Sequence, residues 1–264
     1  MMSSLKIQRE GPGGGVARVT LNRPEVRNAF NETVIAELTA TFATLGQDPT
    51  LRAIVLAAEG KAFCAGADLN WMKSMAGFSW DENHADARLL AEMLWTLYSC
   101  PVPVIARVQG DVYAGGVGLV SVCDIVVAVD TAGFCLSEAK LGLLPATIAP
   151  YVVRALGEQA SRRYFSTAER FSAAEAHRLG LVHELATAET LDEKVHALTA
   201  ALLANGPAAV RACKKLVQDL AHAPITPALR DDTARRIADI RASAEGREGV
   251  QSFLNKRAPG WIQA

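Results

Sequence analysis

The sequence predicts an α/β fold: a core of about 150 residues in which buried strands alternate with helices, followed by a helical C-terminal segment. Three observations carry this. Ala53–Ala58, Val102–Val108 and Asp124–Val129 are almost wholly apolar runs, as expected of strands covered on both faces. Between the first strands, Asn31–Leu45 places Val34, Ile35, Leu38, Phe42 and Leu45 at helical spacing. From about Ala149 onward, one helical pattern follows another, broken by Gly180, by Asn205-Gly206-Pro207 and by Pro224.

Taken in order, Leu5–Arg9 and Val16–Leu21 alternate, and Gly11–Gly15 with Pro12 inside it reads as the turn of a hairpin. The glycine run is not a phosphate loop, because no GK[ST] follows and no helix opens from it. Asn28 or Asn31 is placed to cap the helix that follows. Pro101 and Pro103 bound the Val102–Val108 strand, and Ala114–Val122 is small and apolar. The C-terminal helices are expected at Ser161–Phe165, Ala173–Leu179, Leu191–Ala204, Ala208–Ala221, Pro227–Ala242 and Glu248–Lys256. The expected division is residues 1–195 as the α/β core and 196–264 as a helical region for oligomerisation.

Composition narrows the function. The chain has 264 residues, half of them hydrophobic, with 27 basic against 28 acidic side chains and a net charge of −1. That balance argues against nucleic acid or an anionic membrane as the partner, since both select basic faces. The five cysteines form no CxxC pair and their count is odd, so a reducing, cytoplasmic setting is expected. The first fifteen residues carry no apolar leader, and no run approaches the ~18 apolar residues of a membrane span. The five histidines show no HExxH and no close metal spacing, so no metal is expected. No GxSxG elbow occurs, and Gly115–Gly118 falls short of GxGxxG because Ser121 takes the last position.

Two segments resist explanation as packing alone. Lys61–Leu69, KAFCAGADL, follows a buried strand with the small residues Ala65, Gly66 and Ala67, which let a ligand approach the backbone. Gln109–Asp124, QGDVYAGGVGLVSVCD, is again a strand leading into a small-residue helix start. Two such turns side by side would aim two backbone N–H groups at one atom, the geometry of an oxyanion hole. Helix–strand packing glycines remain the alternative at this level.

The segments AFCAGADL (Ala62–Leu69), QGDVYAGGVGLVSVCDIVVA (Gln109–Ala128) and EAKLGLLP (Glu138–Pro145) resemble the crotonase superfamily, the enoyl-CoA hydratase/isomerase proteins. So do LNRPEVRNAFN near the start, RFSAAEAHRLGLVHEL (Arg170–Leu185) and EGREGVQSFLNKR near the end. The resemblance runs in order from about Val16 to Arg257. ADLNWMKSM and LSEAKLGLLPATIAPYVVRALG look most like the branch that hydrates methylglutaconyl-CoA or carboxygeranoyl-CoA, in leucine and acyclic terpene breakdown.

The resemblance implies a spiral of ββα units with a helical trimerisation region, assembling as homotrimers or hexamers. It implies an acyl-CoA thioester as substrate, with no cofactor beyond the coenzyme A that the substrate carries. Position by position, Ala67 and Gly115 would supply the oxyanion-hole amides and Glu138 the acid/base carboxylate. Val26, Ala65, Asp68 and Leu69 would lie along the CoA, and Lys256 would reach its phosphate or adenine. Asn28, Ala114, Gly118 and Leu141 join the implied substrate-binding positions. Trp71, Met72, Met75, Leu141 and Leu144 are candidate walls for the acyl chain.

One departure stands out. Hydratases of this family commonly carry a further glutamate three residues after the oxyanion-hole glycine, and here that position is Gly118. An enoyl-CoA hydratase, with the methylglutaconyl-CoA type as its nearest match, is the first expectation. An isomerase using Glu138 alone, or a non-catalytic CoA-thioester-binding paralogue, is the alternative. Asp111 and Tyr113 are the candidates to stand in for the missing carboxylate.

Overall fold

A computed structural model describes residues 3–262. Strand β1 (Leu5–Glu10) turns back antiparallel onto β2 (Val16–Leu21) across the glycine-rich turn, with Leu5 opposite Leu21 and Glu10 opposite Val16. β2 then runs parallel to β3 (Ala53–Ala58), whose six residues are all buried. Beyond it lie β4 (Val104–Val108), β6 (Ile125–Val129) and β9 (Glu184–Ala186), giving a six-stranded sheet in the order β1-β2-β3-β4-β6-β9. Three short strands, β5 (Val112–Tyr113), β7 (Gly133–Cys135) and β8 (Arg170–Ser172), form a second sheet in the order β5-β7-β8.

Parallel neighbours require crossovers, and helices supply them. Helix α1 (Glu32–Gln47) buries all five residues of its predicted stripe, and Asn31 caps it by accepting from the Val34 amide. Asn28 plays no part in that cap. Between β3 and β4 run α2 (Leu69–Met75) and α3 (Trp80–Ser99), and α3 packs on α1. The sequence pattern did not announce α3, because its charged surface leaves only Met93, Leu94 and Leu97 buried. Its start is nevertheless marked by a capping box of Ser79 and Glu82. Helix α4 (Gly115–Ser121) connects β5 to β6.

After β7 come α5 (Ala149–Leu156), α6 (Glu158–Thr167) and α7 (Ala173–Arg178), then α8 (Leu191–Ala204), α9 (Pro207–Leu220), α10 (Pro227–Ala242) and α11 (Ala244–Leu254). The segment from about Ala149 onward is therefore not purely helical, since β8 and β9 lie within it. The boundary expected between residues 195 and 196 falls inside α8. That helix packs on β3, β4 and β6 and buries Leu191, Val195 and Thr199, so it belongs to the sheet layer. In contrast, α9 and α10 bury no residue fully. What docks α9 is polar: Lys214 donates to the Asp124 carboxylate at 2.7 Å, and Arg211 donates to the Asp48 and Leu51 carbonyls.

Among the described residues, no helix is long and apolar enough to cross a membrane. Replacing the α1 cap, Asn31→Ala, leaves an orphan amide at the helix start and should lower stability by about 1 kcal/mol, read from the urea midpoint at unchanged m.

Candidate active site

Two turns lie in contact, and one carboxylate follows from the strand paired with β5, which leads into the second turn. In the first turn, the Phe30 amide donates to the Gly66 carbonyl and the Asp68 amide to the Phe30 carbonyl, each at 2.7 Å. This parallel bridge brackets Ala67 and turns its own N–H away from Phe30. In the second turn, the Ala114 amide donates to the Cys135 carbonyl at 2.8 Å, and Gly115 opens α4. Among the described residues, neither the Ala67 amide nor the Gly115 amide donates to another group of the chain.

The turns are pressed together. Gly66 sits at φ +89°, and a Cβ there would lie 2.9 Å from the Ala114 Cβ and 3.3 Å from the Tyr113 carbonyl oxygen. A Cβ on Gly115 would lie 2.8 Å from the Phe30 ring, so Phe30 touches both turns. The Tyr113 amide closes the junction by donating to the Cys64 carbonyl at 2.9 Å. Ala114 holds φ 48°, ψ −121°, a conformation that costs an alanine about 1–3 kcal/mol. Such strain clusters where a backbone is shaped for a ligand.

Glu138 arrives from the second sheet. β7 pairs with β5, setting Cys135 opposite Tyr113, and Glu138 follows three residues later at the start of a 3-10 turn, Glu138–Leu141. The Leu143 amide donating to the Glu138 carbonyl, at 3.1 Å, steadies that turn. Among the described residues the Oε2 atom of Glu138 is buried without a hydrogen-bond partner. Burial pushes its carboxyl above the ordinary value of 4.5. A buried carboxylate oxygen without a partner is hard to explain as scaffolding.

The remaining predicted positions divide. Val26, Leu69, Leu141 and Leu144 are exposed apolar side chains, Leu69 to 73% and Leu144 to 74%. Ala65 and Ala114 are half-buried, Ala65 with its amide on the Arg27 carbonyl. Lys256 is exposed just beyond α11, whose packing partners are α9 and α10. Trp71 and Met75 pack into the core, the Trp71 indole donating to Asp86, whereas Met72 is half-buried.

Two positions have their side chains engaged within the fold. Asn28 is 2% exposed, and its side chain accepts from the Arg23 amide and donates to the Glu59 and Ala62 carbonyls. Asp68 caps α2 through the Asn70 amide and pairs with Arg23 at 2.8 Å. Burial disfavours its charged form, but those two donors outweigh that and hold its carboxyl below the ordinary range. Both side chains help to hold the first turn in shape. Asp111 is likewise engaged, accepting from Arg170 at 2.9 Å and from the Gly133 amide at 2.8 Å.

Three contributors were missed: Phe30, Arg23 and Ile148. Arg23 joins the turn to the Ala29 carbonyl as well as to Asp68, and only the position of Asp68 as a helix cap hinted at a partner. Two cavities lie elsewhere. One of ≈ 650 Å³ sits between the glycine turn and α8, and one of ≈ 330 Å³ is lined by Tyr98, Tyr151 and His183. In the second, His183 accepts the Val126 amide on Nδ1 and Asp124 is paired with Lys214.

The α/β scaffold thus carries two unpaired amides in touching turns and, on a separate 3-10 turn, a buried carboxylate oxygen without a partner. The family description "Enoyl-CoA hydratase/isomerase" matches residues 11–264, and the chain belongs to that family, with the crotonase fold. It is 35% identical over 280 residues to enoyl-CoA hydratase ACTT6 of Alternaria alternata, covering 100% of this chain and 89% of that protein. Among solved structures, an enoyl-CoA hydratase from Shewanella pealeana is 41% identical with a TM-score of 0.93, covering 98% of this chain and 96% of that one. AtuE of Pseudomonas aeruginosa is 37% identical with a TM-score of 0.93, covering 98% and 100%.

The raised carboxyl has a stability consequence. A carboxyl whose folded value exceeds its unfolded value contributes stability below the ordinary 4.5, and that stability is lost as pH rises through the folded value. Glu138→Gln should therefore raise Tm at pH 7 to 8, with the advantage shrinking below pH ~4.5. A Tm difference independent of pH would contradict the raised value.

Proposed function

We propose that the protein is an enoyl-CoA hydratase that works through a thioester enolate, with Ala67 and Gly115 as the oxyanion hole and Glu138 as the acid/base group. The unpartnered Oε2 of Glu138, in a chain whose Ala67 and Gly115 amides are both left free, is the observation that carries this reading. Hydration then needs no group beyond these. Glu138 takes a proton from water as the water oxygen attacks C3, and the electron pair of the double bond moves toward C1, leaving an enolate. The Ala67 and Gly115 amides stabilise the charge on the thioester oxygen, each worth about 2.7–4 kcal/mol. Glu138 returns the proton to C2, so water has added across C2 and C3 and the carboxylate is regenerated. Coenzyme A is present only as part of the substrate.

A second reading, isomerisation, is supported by the surroundings of Gly118. Glu138 would remove a proton from C2 of a 3-enoyl thioester and return it at C4, with no water consumed. The exposed leucines Leu69, Leu141 and Leu144 fit the walls of an acyl or pantetheine channel. A substrate with a second carboxylate, of the methylglutaconyl type, fits the local sequence. Lys73 in the last turn of α2 is the nearest cation for it. A cytoplasmic setting fits the thiols of Cys64, Cys100, Cys123 and Cys135, all buried and unpaired.

A homotrimer or hexamer fits the C-terminal helices. Val217, Ile237, Val250, Phe253 and Leu254 are large exposed apolar residues on α9, α10 and α11, more than a monomer usually leaves in one region. Sedimentation at micromolar concentration should show an assembly of three or six chains. A stable monomer would contradict it.

Turnover is followed by loss of the enoyl-thioester absorbance of crotonyl-CoA and methylglutaconyl-CoA. Glu138→Gln should lower kcat by about 10²–10⁴-fold with substrate affinity largely kept, because only proton transfer is lost. The acidic limb of kcat/KM should lie above the ordinary carboxylate value, since the ionised form of a raised group is required. Coenzyme A binding with no turnover of any acyl-CoA would defeat the enzyme reading in favour of a non-catalytic paralogue. Equal kcat/KM for uncharged and ω-carboxylated enoyl-CoAs of the same length would remove the methylglutaconyl assignment.

A further inference from the structure

Gly118 is fully enclosed within α4, three residues beyond Gly115. A Cβ at this position would lie 2.2 Å from Cγ2 of Ile148 and 2.6 Å from its Cβ, distances no pair of carbons tolerates. Ile148 cannot easily give way. It is 2% exposed, its carbonyl accepts the Tyr151 and Val152 amides that begin α5, and α5 packs directly on α4. Its branched Cβ also restricts χ1, and the closest atoms include the Cβ itself rather than the end of a flexible chain. The place where a side chain at 118 would project is thus filled by an isoleucine thirty residues later in the chain.

We propose that Ile148 is a specificity-determining residue: it occupies the space a second carboxylate at position 118 would need and sets the balance between water addition and proton shuttling. The proposal rests on the reading of Glu138 and the two amides given above. With an apolar wall in place of a second acceptor, water is held from one side only, by Glu138. Proton return from the same carboxylate to C4 of a 3-enoyl thioester needs no water at all. The exchange balances without an added reactant: one C2–H bond breaks, one C4–H bond forms, and the double bond moves from C3–C4 to C2–C3.

The test uses the full chain, a set of variants, and two thioesters, crotonyl-CoA for hydration and 3-hexenoyl-CoA for isomerisation. Gly118→Glu alone should fold poorly or melt well below the parent. Ile148→Gly places at the start of α5 a residue that N-caps accept, while removing both colliding atoms. The double variant, Gly118→Glu with Ile148→Gly, should melt above Gly118→Glu alone, and its ratio of hydration to isomerisation should rise at least tenfold. Ile148→Gly alone should raise that ratio several-fold by admitting water, which keeps the proposal falsifiable if every protein carrying Gly118→Glu fails to fold.

Two results would overturn it. No recovery of Tm in the double variant would mean that the two positions do not compete for space. An unchanged ratio in Ile148→Gly and in a folded double variant would mean that Ile148 only packs. If Glu138→Gln retains full turnover while the ratio still moves in the Ile148 variants, the acid/base reading fails and the Ile148 proposal stands. If neither thioester is consumed by any of these proteins, both fall.

Discussion

The candidate site depends on the closeness of two backbone turns, and that closeness comes from Phe30. Its backbone brackets Ala67 in a parallel bridge, while its ring lies where any side chain on Gly115 would have to go. Gly66 completes the contact, because its left-handed backbone and missing Cβ let the Ala114 methyl approach. Arg23, Asn28 and Asp68 then lock the first turn through hydrogen bonds to one another and to its backbone. The two turns are therefore in contact, with the Ala67 and Gly115 amides left free, before any substrate arrives. Preorganised donors of this kind stabilise developing charge without reorganising at the moment of reaction.

The same arrangement explains why Glu138 is tolerated. A buried carboxylate oxygen without a partner disfavours the ionised folded state, and strained Ala114 adds to the cost. Elsewhere the chain satisfies comparable groups: Asp124 with Lys214, Asp111 with Arg170, Asp68 with Arg23. The contrast is what separates Glu138 from the structural carboxylates. Its burial raises its proton affinity above that of an ordinary carboxylate, the direction that the proposed acid/base role calls for.

Much of this was legible in the sequence where long-period patterns spoke. The stripe from Val34 to Leu45 appears intact on α1, and Ala53–Ala58 is a buried strand over the same six residues. The two small-residue turns stood out as candidates beside an ordinary packing role, and Glu138 stood out only through the family resemblance of the segment EAKLGLLP that contains it. What stayed hidden was either too short or too distant. β5, β7, β8 and β9 have two or three residues each, below the length at which alternation can register. Asn28 and Asp68 have the residue types of ligand contacts, and only their partners in space reveal that they hold the loop. Ile148 could not be paired with Gly118 from spacing, since the contact exists only once α5 lies on α4.

The central claim is that Ala67, Gly115 and Glu138 act on one thioester by forming its enolate, whatever step follows. Exchange of the C2 protons of butyryl-CoA in D₂O, followed by NMR, reads that step alone, because a saturated acyl chain can be neither hydrated nor isomerised. The account predicts enzyme-catalysed deuterium incorporation at C2 that falls by about 10²-fold or more in Glu138→Gln. Incorporation that persists unchanged in that variant, or none above the buffer rate in the parent protein, would contradict it.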